Sequence, residues 1–387
     1  MTDRRPTPVA AVREREYRAD PRFVFFNAAS WGLVPRSSAE ESGDLTLRRN
    51  RPDGFTLGEL GDVQRRCRTA VARLLDVQSE EIALVPNTSH GVNLAAAMVG
   101  RGEPGTILVS HGEFPANVFP WKALEPRGFR VELVPTDELG RPREEEILAR
   151  LGRDDVRALA LSAVQYATGY RADLEALGTA CRERDIFYCI DAIQAVGAVP
   201  FRPREVHADL VACGAQKWLC APWGSGFAWI PRERQGSFDP PMVSWFSMKG
   251  ATNFEDLLHY RMEWAEDARK FELATLGLQD YLGLARSAEI FLEMGIEAVF
   301  RHILEVHEPL ERWISGRPEV VAVTPMEPAH RGGIVSFRVP DPKGTAAALE
   351  EGGVIFAVRE GAVRLAPHFY NTVEEMERVV AILDRVM

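Results

Sequence analysis

The chain is poor in the features that mark several protein classes. Its 387 residues hold 5 cysteines, at 67, 181, 189, 213 and 220, and none forms a CxxC pair. An odd, scattered set among apolar or helix-forming neighbours argues against a disulfide framework or a zinc site. Buried free thiols in a cytoplasmic protein are the expectation. No apolar run approaches the ~18 residues of a membrane helix, so no membrane association is expected. The opening MTDRRPTPVAAVREREYRAD has only a short apolar stretch at 9–12, and Asp3, Glu14 and Glu16 speak against a transit peptide. Basic tracts are missing too: 46 basic against 56 acidic side chains leave a formal charge of −10, which disfavours nucleic-acid binding but leaves room for a local anion pocket. The 8 histidines show no HxxH or HExxH spacing, and His302 and His307 do not share a helical face, so no metal is expected. Repeats and low-complexity segments are absent.

What remains is ordinary globular material, with 46% hydrophobic and 26% charged residues and length for two or three domains. Strand patterns at 82–85, 106–109, 130–134, 158–162, 187–190, 210–213 and 226–230 alternate with helical patterns at 63–75, 93–98, 144–151 and 174–184. This βαβ rhythm predicts an α/β fold with a largely parallel sheet between helices. The rhythm breaks at 247–264, a long amphipathic helix is predicted at 282–294, and the last third reads as a smaller α+β unit. Strands are predicted there at 334–339 and 363–365, helices at 345–350 and 372–386. The predicted division is a large domain at 22–280 and a small one at 281–387, with residues 1–21 packing on the latter.

The most informative stretch, 187–230, reads FYCIDAIQAVG and then DLVACGAQKWLCAPWGSGFAWI. An apolar strand ends in Asp191, with Gln194 shortly after, and Lys217 follows the next apolar strand. Ligands sit at strand ends of parallel sheets. A lysine desolvated there has a lowered pKa and suits a Schiff base, and a carboxylate there can keep a heteroaromatic nitrogen protonated. Acids and lysines at strand ends are also often merely solvated or salt-bridged. Pro86-Asn87-Thr88-Ser89-His90-Gly91 joins a strand to a helix, where hydroxyls and unpaired amides fit a phosphate or serve as an ordinary cap. In His111-Gly112-Glu113-Phe114-Pro115-Ala116-Asn117, Phe114 can lie on an aromatic ligand or fill a core.

Taken in order, these motifs resemble the class V aminotransferases among fold-type I pyridoxal-phosphate enzymes, a group that includes cysteine desulfurases, kynureninase and isopenicillin N epimerase. The resemblance runs from FFNAASWGLVP (25–35) to RLAPHFYNT (364–372). It implies a seven-stranded, mostly parallel sheet in the large domain and pyridoxal 5'-phosphate as cofactor. Lys217 would bind the cofactor covalently and move the substrate's Cα proton, with Asp191 on the pyridinium nitrogen and Gln194 on the phenolic oxygen. Phe114 would stack on the ring, Tyr166 would sit near the ring oxygen, and Thr88, Ser89 and Gln216 would bind the phosphate. Thr275, in Phe271-Glu272-Leu273-Ala274-Thr275, would reach the cofactor of a second subunit, which implies a homodimer. Arg364 would clamp the substrate α-carboxylate bidentately, beside Asn27, Ala28 and Ala29. Arg359 is either a second anion contact or a surface charge beside Glu360.

The chain departs from its relatives twice. Many carry Ser-x-His-Lys at the lysine, where this chain has Gly214-Ala215-Gln216-Lys217, so the cradle loses a hydroxyl. Desulfurases carry a nucleophilic cysteine on a loop before the carboxylate arginine and a histidine on the ring. Here Val358-Arg359-Glu360-Gly361 leads almost directly to Arg364, no cysteine follows Cys220, and Phe114 replaces the histidine. A desulfurase is therefore disfavoured. The expected activity is a reaction at the α-carbon of an amino acid: transamination first, with a keto acid as the second product, and β-elimination or epimerisation as alternatives. A cofactor-binding regulator would need a helix-turn-helix domain, for which the ~20 residues before the resemblance are too few. Trp31, Trp121, Trp223 and Trp245 either line an aromatic pocket or fill cores.

Overall fold

The computed structural model describes residues 7–18 and 20–387. Its frame is a seven-stranded sheet in the order Ile82–Leu84, Gly226–Trp229, Leu210–Gly214, Phe187–Asp191, Val156–Ser162, Thr106–Ser110, Arg130–Val134. Gly226–Trp229 runs antiparallel to both its neighbours and the remaining pairs are parallel. The fold is thus α/β and mostly parallel, as the βαβ rhythm predicts. Every residue of Thr106–Ser110, Phe187–Asp191 and Leu210–Gly214 is buried. Helices cover both faces of such strands, which is why they read as continuous apolar runs rather than alternations.

Register then places the chemistry. Ser162 pairs with Asp191 and Asp191 with Ala212, so the carboxyl ends of three parallel strands finish at one edge. The helix Thr88–Val99 packs on Leu210–Gly214, and Gly91 makes the close approach possible: a Cβ there would lie 2.7 Å from Cβ of Ala212. Its N-terminus is thereby brought to Gly214.

The C-terminal part has a four-stranded antiparallel sheet, Ala357–Arg359, Ala362–Leu365, Val335–Arg338 and Val321–Ala322, with its own core around Trp313, Phe337, Val363, Leu365 and Met376. The N-terminal stretch joins it: Val24–Phe25 pairs in parallel with Val354–Ile355, and Asn27 bridges to Ala366. The helix Pro8–Glu16 packs on Leu278–Met294 and Ile296–Ser315. The expectation for residues 1–21 also covers 1–6 and 19, which lie outside the described residues.

The predicted helix at 282–294 starts one turn earlier, at Leu278, and packs on the helices Arg36–Arg48 and Leu57–Leu75. The 20-residue helix Ile296–Ser315 has no counterpart in the sequence reading, since Gly295 (φ +78°) breaks the pattern before it and Pro309 lies inside it. Between residues 236 and 277 the chain makes short turns and leaves Leu258, Tyr260 and Met262 exposed by 78, 83 and 70%. Among the described residues no helix is long and apolar enough to cross a membrane, and all five cysteines are free and buried.

Candidate active site

Asp191 ends its strand buried, and among the described residues its carboxylate accepts one hydrogen bond, from the Ile193 amide to Oδ1 at 3.0 Å. Burial lifts its pKa to about 6, against the pull of the Ile193 amide and the nearby Lys217. Lys217 follows the neighbouring strand, and burial lowers its pKa to about 8, opposed by Asp191 and reinforced by Arg364 and Arg359. About a tenth of its amine is then neutral at pH 7, far more than for an ordinary lysine, and covalent attachment to an aldehyde requires that form. No ion pair joins the two among the described residues. A carboxylate desolvated without a partner fits a protonated heteroaromatic nitrogen, which would restore its ionised form.

Phe114 stands half-exposed over the lysine, with Lys217 Nζ 5.8 Å from its ring centroid. The Tyr166 ring meets it edge-on at 5.3 Å, and the Tyr166 hydroxyl donates to Glu360 at 3.3 Å. Burial and Glu360 raise the Tyr166 pKa, so the phenol stays protonated.

Thr88 opens its helix, and Asn87 caps it by accepting from the His90 amide at 2.9 Å. The first two amides of a helix have no acceptor within it, so Thr88 and Ser89 present N–H groups that suit an anion. The Thr88 Oγ1 accepts from the Gly214 amide at 2.8 Å, which leaves its own hydrogen to donate. A Cβ at position 214 would lie 2.6 Å from Gln216 Oε1 and 3.3 Å from Thr88 Oγ1. The Gln216 amide thus occupies the space that a serine side chain at 214 would need.

Arg364 is buried in the strand Ala362–Leu365. Its Nη1 donates to the Tyr166 carbonyl at 2.6 Å and its Nη2 to Ser30 Oγ at 2.9 Å, while Nε is buried without a partner. Ser30 in turn donates to Asn27 Oδ1 at 2.7 Å, and the Ala28 amide donates to the Ala366 carbonyl at 3.0 Å. Burial, with Arg359 as a second cause, lowers the Arg364 pKa to about 10. A desolvated guanidinium with an orphan N–H and, among the described residues, no acid partner suits a carboxylate ligand. Arg359 donates only to its neighbour's carbonyl, Val358 O at 2.8 Å, and forms no ion pair with Glu360 among the described residues.

The structure therefore gathers Asn27, Ala28, Ala29, Thr88, Phe114, Tyr166, Asp191, Gln194, Gln216, Lys217, Arg359 and Arg364 around one sheet edge. The amide of Gln194 is already engaged: Oε1 accepts from Trp218 Nε1 at 2.7 Å and Nε2 donates to the Ala29 carbonyl at 3.0 Å, which leaves one N–H. Thr275 stands apart and lines a cleft of about 770 Å³ with Trp245, Phe254, Gly58, Gln64 and Leu273. Trp121 is core, Trp31 packs on Phe25, and Trp223 is exposed. Four residues with no earlier role belong here: Ser30, Glu113, Trp218 and His368. Glu113 is wholly buried beside Phe114, and its oxygens accept from the Ser162 amide (2.9 Å), the Ser162 hydroxyl, Gln165 Nε2 (2.6 Å) and Asn117 Nδ2 (2.9 Å). The weak sequence signal for it is an acid next to the ring-stacking position at a strand end.

The Aminotransferase class-V family model matches residues 55–379. Isopenicillin N epimerase of Streptomyces clavuligerus is 28% identical over 94% of this chain and 95% of its own. A probable cysteine desulfurase of Methanothermobacter thermautotrophicus is 26% identical over 83% of each. A solved complex of the cystine C–S lyase C-DES with its product cysteine persulfide has a TM-score of 0.84 at 22% identity, covering 94% of this chain and 97% of that one.

Proposed function

The chain belongs to the class V aminotransferase family of pyridoxal-phosphate enzymes, and on that premise we propose that it acts at the α-carbon of an amino acid, as an aminotransferase. Pyridoxal 5'-phosphate is the cofactor, and when bound it supplies a ring that stabilises negative charge at the substrate Cα. The observation that carries the proposal is Arg364: a buried cation with an unpartnered N–H, held near a lysine whose amine is partly neutral.

The geometry supports the following roles. Lys217 holds the cofactor and its Nζ then takes and returns the Cα proton. Asp191 would keep the ring nitrogen protonated, and the remaining N–H of Gln194 would be free for the phenolic oxygen. Thr88, Ser89 and Gln216 would hold the phosphate, and Phe114 and Tyr166 would border the ring. Arg364 grips the α-carboxylate through Nε and Nη2, with Ser30, Asn27, Ala28 and Ala29 shaping that end and Arg359 adding positive potential. Thr275 serves the cofactor of a second subunit in a homodimer, for which the exposed 242–262 segment supplies apolar surface. The large domain is 22–280 and the small one 281–387, with the Leu278–Met294 helix as the joint between them. The buried free thiols agree with a cytoplasmic protein.

A desulfurase is disfavoured because Ala357–Arg359 turns into Ala362–Leu365 through Glu360 and Gly361 alone, which leaves no loop for a nucleophilic cysteine. The epimerase relative favours a second reading. Epimerisation needs a proton carrier on the face away from Lys217, and Tyr166, protonated and bonded to Glu360, is the candidate. β-Elimination on the same scaffold is the third outcome. A half-reaction decides: enzyme loaded with cofactor is mixed with single amino acids and its visible band followed. Conversion to the amine form with one equivalent of keto acid supports transamination. A persisting band with inverted amino acid, or with ammonia and pyruvate, replaces it with epimerisation or elimination.

A further inference from the structure

The turn that carries Lys217 is held from both sides by groups outside the roles above. On its N-terminal side, the Gln216 carbonyl accepts from the Gly32 amide at 2.8 Å. On its C-terminal side stands Trp218, fully buried, whose Nε1 donates to Gln194 and whose carbonyl accepts from His368 Nε2 at 2.7 Å. The histidine's tautomer follows from its other nitrogen. The Phe369 amide donates to Nδ1 at 2.8 Å, so Nδ1 presents a lone pair and Nε2 carries the hydrogen. His368 belongs to the same segment as Arg364. Asn371 folds that segment by accepting from the His368 amide at 2.8 Å and donating to Glu375 at 3.0 Å, at the cap of the Val373–Leu383 helix.

Packing leaves the indole no alternative place. A Cβ at Gly333 would lie 2.4 Å from its Cη2, and one at Gly197 (φ +96°) would lie 2.4 Å from the Trp218 carbonyl oxygen. The His368 ring packs on the indole at 5.1 Å. Trp218 therefore meets the large domain's core, the N-terminal stretch through Gln194 and Ala29, and, through Gly333 and His368, the segments that flank two strands of the small sheet.

We propose that Trp218 and His368 are positioning residues that fix the Lys217 turn and the Arg364 segment as one unit, so that Lys217 Nζ and the carboxylate clamp keep a set separation. The argument is geometric. Lys217 reaches the site on a flexible side chain; its own carbonyl closes a local turn by accepting from the Cys220 amide at 3.0 Å, and the carbonyls on either side of it are tied to segments distant in the chain. One is held by the N-terminal stretch and the other by the segment that carries Arg364. Any displacement of the segment that carries Arg364 would pull on the lysine turn through the bond from His368 to the Trp218 carbonyl. The Trp218 indole also fixes which way the Gln194 amide points, and so where its remaining N–H is aimed. This inference rests on the reading of Lys217 as the cofactor-bearing lysine.

The test uses cofactor-loaded enzyme and three replacements. Trp218→Phe and His368→Phe each remove one donor and keep a ring, while His368→Gln keeps an N–H near the place of Nε2. The charged groups around Lys217 are Asp191, Arg364 and Arg359, with the Cys213 thiol beside them, and none is altered. The readouts are the pH midpoint of the visible band, the rate of cofactor loss on dilution, and KM and kcat separately. Expected in the two Phe variants is a midpoint moved by at least half a pH unit, faster cofactor loss, and kcat lower by about tenfold with KM little changed. His368→Gln recovers most of this. If Trp218→Phe fails to fold, incorporation of benzothienylalanine at 218 keeps the shape without the N–H. Unchanged midpoint and cofactor loss, with lowered thermal stability alone, would overturn the proposal and leave both residues as packing. A borohydride-fixed label on a residue other than Lys217 in the unaltered enzyme would instead sink the lysine reading on which it depends.

Discussion

Arg68 and Glu272 meet through three N–H···O contacts of 2.6 to 3.0 Å, and the Leu84 amide adds a fourth to the same carboxylate at 2.8 Å. Asp191 and Arg364 are buried as deeply, yet among the described residues neither has an oppositely charged partner in contact; burial displaces the pKa of both, as it raises that of Glu272. Removing a charge from water costs several kcal/mol unless a partner offsets it. In the first cluster the partner is built in, so the pair staples Leu57–Leu75 to Ile82–Leu84 and the segment leading to Thr275. In the second no partner is built in, which is what the proposed roles require: a ring nitrogen for Asp191 and a carboxylate for Arg364. Completeness separates the structural cluster from the functional one. Burial alone does not.

The largest effect expected is at Lys217. Lys217→Ala removes the amine that attaches the cofactor and moves the proton, so no borohydride-stable label forms and turnover falls by about 10²–10⁴-fold or more. Label retained at another lysine breaks the assignment. The paired cluster comes next. Arg68→Ala leaves Glu272 buried and alone, at a cost of about 3–5 kcal/mol in urea unfolding, with the rate per folded site unchanged. Replacing both residues by apolar ones costs less than that single change, and a double-mutant cycle measures the difference. If Arg68→Ala changes turnover as much as stability, the cluster is not merely a staple.

Arg364→Ala has the opposite signature. It relieves an uncompensated cation, so stability drops less than for Arg68→Ala, while KM for amino acids rises by roughly 30–10³-fold, the ~2–4 kcal/mol of a lost charged clamp. An unchanged KM takes Arg364 out of the carboxylate site.

Much of this contrast is legible in the sequence itself. The sheet is, because strands buried on both faces advertise themselves as apolar runs, and Asp191 and Lys217 are because each closes such a run. Arg364 is visible through the segment ending in Tyr370-Asn371-Thr372. Ser30, Trp218 and His368 are not, since their roles depend on partners distant in the chain: Ser30 on Arg364, His368 on Trp218, Trp218 on Gln194. No local pattern encodes such a contact. The helix Ile296–Ser315 escapes for a local reason, because an internal proline reads as a stop although packing of Val299, Ile303, Val306 and Leu310 overrides it.

Glu113 is the intermediate case, and it carries the smallest expected effect. Its oxygens are saturated with donors, like those of Glu272, yet it has no cation, like Asp191. Burial raises its pKa to about 7, with the Asp191 charge adding to the rise and the hydrogen bonds opposing it. An acid whose folded-state pKa exceeds its unfolded value holds a proton in the native state that the unfolded chain has released. Between about pH 4.5, the ordinary carboxyl value, and about 7, its contribution to stability therefore falls as pH rises, and above 7 the loss is complete. Glu113→Gln is neutral throughout and removes that slope. Its amide nitrogen would face Asn117 Nδ2, but Asn117 Oδ1 is buried without a partner and can receive it if the asparagine turns over. Urea titrations of the cofactor-free protein between pH 5 and 7.5 should show a shallower decline in the variant, with the two curves closest at the acid end. Parallel curves would mean that Glu113 is ionised across the range, held by its four donors. It would then group with the paired cluster despite lying at the edge of the site.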